Sequence, residues 1–192
     1  MGPVTMVQRV ADYFRARPLL LILLSVDFLF IAIHVWLWSR GNVPWEFHLG
    51  RQAGYPEQFQ YLKWLASTVL CAFAFTRGRE PLYLAWAALF FYLLLDDSLE
   101  IHEALGPVIA DFLERGPAYG LRGKDFGEIL VSLGAASLLL GSIALCYWRS
   151  RDRTARALTL ALLPWLAVLA FCGIGVDVAK RIMRVSTTQN GR

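Results

Sequence analysis

Charge is missing from long stretches of this chain. Of its 192 residues, 57% are hydrophobic, and the mean hydropathy is +0.47. A soluble domain holds nearer about 45–50% apolar residues. The excess sits in runs almost free of charge. This excludes a disordered tail, a coiled coil and most soluble folds, and makes the lipid bilayer the expected environment.

Cysteine is scarce too. Cys71, Cys146 and Cys172 all lie inside apolar runs and form no CxxC pair. No disulfide framework or zinc cluster follows, and the three read as small core residues. A P-loop, a nucleophile elbow, a dinucleotide fingerprint and HExxH are all missing. Internal repeats and low-complexity tracts are absent as well. The first apolar run is longer than a signal-peptide core, and Ser39-Arg40-Gly41 is no small-residue cleavage site, so the run is expected to stay in the mature protein. Lys and Arg total 19 against 15 Asp and Glu, a net charge of +4. The basic residues gather at the ends of apolar runs, as membrane-flanking residues do, so no nucleic-acid partner is expected.

Five apolar segments are present, at about 18–38, 59–76, 81–105, 126–148 and 157–178. Roughly 20 helical residues cross the hydrocarbon, and a backbone inside it must satisfy its own hydrogen bonds. The expectation is an all-α, polytopic integral membrane bundle of about five transmembrane helices, forming a single domain over residues 1–192. The second segment is the weakest, and Lys63 near its start is expected to snorkel to the headgroups. Pro81 suits a first helical turn, and Pro164 should kink the last helix. Ser137 and Gly141 form a small-residue face suited to close packing. Trp36, Trp38, Trp45, Trp64 and Trp148 read as interfacial belt residues. The stretches 50–60 and 106–127 read as connections.

Basic residues divide almost evenly between the two sides. The Arg77–Arg79 turn and the Arg149–Arg156 loop are nevertheless short and arginine-dense. The positive-inside rule then places the N-terminus in the cytoplasm of a prokaryotic-type plasma membrane and the C-terminus outside.

The richest stretch is Asp96-Asp97-Ser98-Leu99-Glu100-Ile101-His102-Glu103. On one continuous helix Asp96, Glu100 and Glu103 would share a face, Asp97 would flank it, and His102 would turn toward Leu95, Ser98 and Leu99. Like charges so placed repel, so either some acids are protonated or a cation sits among them. Alternating helices would bring His34, Glu128 and Asp177 to the same membrane level, with Asp27 deeper. Asp27 at a helix centre costs about 2.5–3.5 kcal/mol on insertion scales and should face other helices. Glu103, Glu128 and Asp177 have a plainer reading as headgroup-level acids paired with Arg122, Lys124, Lys180 or Arg181.

Carboxylates with imidazole suit Mn, Fe or Zn, whereas carboxylates alone suit Mg or Ca. The helical di-iron spacing Glu-x-x-His is not met by Glu100-x-His102. The string Asp96-Asp97-Ser98-Leu99-Glu100 resembles the aspartate-rich motif of prenyl-diphosphate enzymes. That resemblance implies Mg²⁺ held on a diphosphate, but the second acidic partner motif and the larger bundle of the membrane prenyltransferases are lacking. The leading expectation is a site that binds a divalent metal ion or protons. Its candidate ligands are Asp96, Asp97, Glu100, His102, Glu103 and Glu128, with Asp27, His34 and Asp177 as further intramembrane polar residues. The alternatives are a metal-dependent membrane enzyme acting on a lipid-like substrate and a non-catalytic subunit of a membrane complex. No catalytic residue is assigned.

Overall fold

The computed structural model describes residues 18–49, 53–113 and 123–189, with side chains described as far as Phe171. Six α-helices and one 3-10 turn make up the described residues, with no strand among them. The helices are α1 (Pro18–Ser39), α2 (Tyr55–Gly78), α3 (Pro81–Leu99), α4 (Ile101–Phe112), α5 (Gly123–Arg149) and α6 (Arg153–Gln189). Among the described residues, four stretches are long and apolar enough to cross a membrane: α1, α3, α5 and Arg153–Phe171 of α6. The protein is an all-α membrane protein. The weak second segment is a 24-residue helix carrying Glu57, Lys63 and Arg77, and it falls short of those four in apolar character.

The chain divides into two compact units, Met1–Leu65 and Ala66–Arg192. In the first, α1 buries no residue, and apart from Asp27 and His34 its surface is almost wholly apolar. A helix of that kind has lipid as its solvent. At about 1.5 Å per residue, its 22 residues reach about 33 Å, enough to cross the hydrocarbon. It ends where Gly41 adopts φ +75°, donating its N–H to Trp38 O at 2.9 Å while Asn42 reaches back to Leu37 O. A left-handed glycine at that position closes the last carbonyls of the helix. The chain then makes the 3-10 turn Trp45–Phe47 and enters α2. The N-terminus of α2 is secured by Glu57, whose carboxylate accepts the Ala53 N–H. The helix therefore begins ahead of the expected residue 59, in a polar turn that hydropathy does not register.

In the second unit Leu82, Trp86, Ala87 and Leu89 of α3 pack with Cys71, Ile143 and Ala155. Two cysteines lie where the sequence suggested: Cys71 in this core and Cys146 packed against it. The side chain of Cys172 falls outside the described residues. Trp86 is 1% exposed and donates its indole N–H to Thr159 Oγ1 at 2.9 Å. Thr159 in turn donates to Ala155 O at 3.0 Å, so the one polar edge of this core is closed. Asp152 starts α6 by accepting the Thr154 N–H at 2.8 Å, ahead of the expected residue 157. Pro81 occupies the first turn of α3. The helix α6 continues through Pro164. The Ser137–Gly141 face departs from expectation: both residues are exposed, and a Cβ on Gly141 would meet nothing within 4 Å.

The buried Trp86–Thr159 bond yields a prediction. Thr159→Val keeps the shape but leaves the indole N–H without its acceptor. We expect a loss of about 1–2 kcal/mol, the upper part of the range for hydrogen bonds between membrane helices, because both partners are fully buried. Unfolding in mixed micelles measures it. Trp86→Phe with Thr159→Val should lose less than the sum of the two single changes.

Candidate functional site

The apolar run of α3 ends at Asp96, and the helix stops three residues later. Glu100 adopts φ 52° and ψ 43°, a left-handed conformation, and α4 starts at Ile101. Left-handed backbone is costly for a residue with a Cβ, so compensation is needed. Asp96 supplies it. Its Oδ1 accepts the His102 backbone N–H at 3.1 Å, and its Oδ2 lies 3.0 Å from His102 Nδ1. A short carboxylate side chain has taken over an N–H at the start of the next helix, the kind of local competition that interrupts regular structure.

This break corrects the expectation of one helix running to residue 105. The stripe Asp96–Glu100–Glu103 does not form on a single face, because Glu100 is the joint between two helices. His102 does not turn toward Leu95, Ser98 and Leu99; it pairs with Asp96. Gly106-Pro107 does not end the helix either, since α4 runs on to Phe112.

The reason α4 needs Gly106 lies in α5. A Cβ on Gly127 would stand 1.8 Å from Gly106 O, and one on Gly106 would stand 2.6 Å from Glu128 Cγ. The two backbones touch here, and only hydrogen fits between them. The stem of Glu128 therefore crosses α4 one turn beyond His102. Its carboxylate lies 3.6 Å from Lys124 Nζ, as the plainer reading of this acid anticipated.

The His102 imidazole is held above its ordinary range. The hydrogen bond that His102 donates to Asp96 contributes most, partial burial opposes it, and the charges of Asp96, Glu103 and Glu128 add to the rise. Asp97 and Glu103 are exposed, while Glu100 is half-buried at the joint. Among the described residues, no group of three His, Cys, Asp or Glu side chains comes together as a metal site. The structure thus brings Asp96, His102 and Glu128 into one neighbourhood and leaves Asp97 and Glu103 at its margin. Asp177 lies in the part of α6 whose side chains are outside the described residues. Asp125, which sequence reasoning passed over as a connecting residue, is 4% exposed in the first turn of α5. The Tyr92 hydroxyl is buried one turn before Asp96, close enough for the two groups to act on each other.

Two further residues lie in the first unit. Asp27 faces α2, where Lys63 Nζ meets both its oxygens at 2.8 and 2.9 Å. Lys63 therefore turns inward, rather than toward the headgroups, with its ammonium also 4.9 Å from the Phe59 ring centre. His34 Nδ1 lies 3.3 Å from Phe47 O and 3.4 Å from the Leu49 N–H, and its ring meets His48 edge-on. These contacts bind the turn after α1 to the helix itself.

The Asp27–Lys63 pair is half-buried, so its worth lies between that of exposed and fully buried pairs. Asp27→Leu should cost about 1–3 kcal/mol in a micelle unfolding assay, because it leaves Lys63 without the carboxylate. Adding Lys63→Leu should recover most of that loss.

No curated protein and no solved structure matches the chain. One family profile matches residues 53–191, a stretch that holds Asp96, His102, Glu128 and the Gly106–Gly127 crossing but not Asp27 or His34. That match covers more than half of the sequence, and the chain belongs to the family described as Domain of unknown function (DUF8692).

Proposed function

We propose that this multi-pass membrane protein binds a proton at His102, with Asp96 as the group that holds the imidazolium. The observation that carries the reading is the carboxylate–imidazole pair spanning the α3–α4 break, where one side chain both caps a helix and neutralises the charged ring. Glu103 and Glu128 favour the same charged state. The proton form of the site is preferred over the divalent-cation form because the described acids do not converge on one point. The pair sits where α3 ends and α5 begins, opposite the arginine-dense end of the same helices. With that arginine end in the cytoplasm, as the positive-inside rule asks, the proton site opens to the outer face of the plasma membrane. Counting α2 as a fifth span, less apolar than the other four, puts the N-terminus in the cytoplasm as well.

The reading fixes a pH dependence. His102 binds its proton more tightly in the folded protein than in the unfolded chain. The stabilisation from the pair is therefore complete below the unfolded histidine value of about 6.5 and is lost as pH rises through the higher folded value. We expect melting temperature in detergent to fall between neutral and mildly alkaline pH. His102→Gln can still donate to Asp96 but cannot titrate, so it should flatten that slope. Nitrogen NMR of labelled histidine should show one imidazole titrating above the free value and returning toward it in Asp96→Asn. Identical pH–stability curves for wild type and His102→Gln would sink the proposal.

A further inference from the structure

At the end of the second unit away from the His102 site, α5 and α6 leave an apolar groove of about 260 Å³ between them. Leu140, Ile143, Ala144, Tyr147, Leu160 and Leu163 line it. Thr159 also lines it, but its hydroxyl is committed to Trp86 and Ala155, so it offers the groove no free hydrogen bond. Residues 140–148 carry the groove along α5 for about 12 Å at about 1.5 Å per residue. Such a surface suits hydrocarbon.

The mouth of the groove has a different chemistry. Tyr147 forms part of the wall, and the Arg156 guanidinium lies 4.5 Å from its ring centre. Residues 149–156 contain four arginines against a single aspartate. Arg149, Arg151, Arg153 and Arg156 are all exposed, and none forms an ion pair among the described residues. Asp152, the aspartate, is turned into the start of α6 by the Thr154 N–H. Arg77 and Arg79 are exposed in the turn before α3, and Leu82 of α3 packs in one core with Ala155 of α6, which puts that turn at the same end. Trp148, also on the groove, is 80% exposed at the level expected of an interfacial tryptophan.

We propose that this groove is a binding site for one anionic phospholipid. An acyl chain lies between α5 and α6, and the phosphate headgroup is held by Arg149 and Arg156 at the mouth. Charge complementarity selects the occupant: an apolar helix could fill the groove but would leave the arginines unanswered, and a zwitterionic lipid would answer them only in part. Basic pockets between membrane helices bind anionic headgroups by this logic.

Native mass spectrometry of the full chain, released from nanodiscs holding equal phosphatidylglycerol and phosphatidylcholine, tests the assignment. We expect one retained phosphatidylglycerol per chain. Arg149→Gln and Arg156→Gln should each weaken retention about fivefold, the worth of one arginine near an anionic surface. Ala144→Phe, which fills the groove and leaves every arginine in place, should also abolish retention. Arg40→Gln, at the end of α1, should change nothing. Several results would overturn the proposal. They are equal retention of the two lipids, an equal loss on Arg40→Gln, retention that survives Ala144→Phe, a tightly bound second copy of the chain instead of lipid, or thermal stabilisation by inorganic phosphate matching that by phosphatidylglycerol.

Discussion

Water is absent from the bilayer interior, so a polar side chain carried across it is costly unless another group of the protein meets it. A lone charge there costs about 2.5–3.5 kcal/mol on insertion scales, a large share of a protein's whole stability. The internal architecture follows from that constraint. Asp27 is met by Lys63, and the Trp86 indole is met by Thr159, which is closed in turn on its own helix. Asp96 is met twice by His102. Each pairing joins two helices or two parts of a broken one, so solvation and tertiary structure are settled by the same contacts.

The membrane character was legible in the sequence because the hydrocarbon demands long apolar runs, and α1, α3, α5 and the first part of α6 carry them. Helix starts were less legible. The polar first turns of α2 and α6 are set by Glu57 and Asp152 acting on nearby backbone N–H groups, and hydropathy does not register such bonds. The joint at Glu100 was hidden for a stronger reason. Neither glycine nor proline marks it, and the pair that creates it is six residues apart, a spacing no regular helix brings together. Gly106-Pro107 misled in the opposite direction. It has the look of a stop, yet Gly106 is there to let α5 approach. That Asp27 needed a partner followed from its surroundings, while the choice of Lys63 depended on how the hairpin closes.

The second unit is electrically polar along its helices. One end holds Asp96, His102, Glu103, Asp125 and Glu128; the other holds Arg77, Arg79 and the arginines of residues 149–156. Core packing lies nearer the arginine end, where Leu82, Trp86, Ala155 and Thr159 are almost wholly enclosed. The acidic end is held by the backbone crossing of α4 and α5, with Ala110 and Asp125 buried beside it.

The crossing at Gly106 and Gly127 bears on inheritance. Where two backbones touch, no replacement at either position can be neutral, since even a methyl group at 127 would displace the carbonyl of 106. Asp96 and His102 are bound by no such steric rule: another hydrogen-bonding pair of similar reach would hold the joint. The hairpin therefore depends more on the two glycines than on the Asp96–His102 pair. Exchange of either glycine shifts α4, and His102, one turn from the contact, shifts with it.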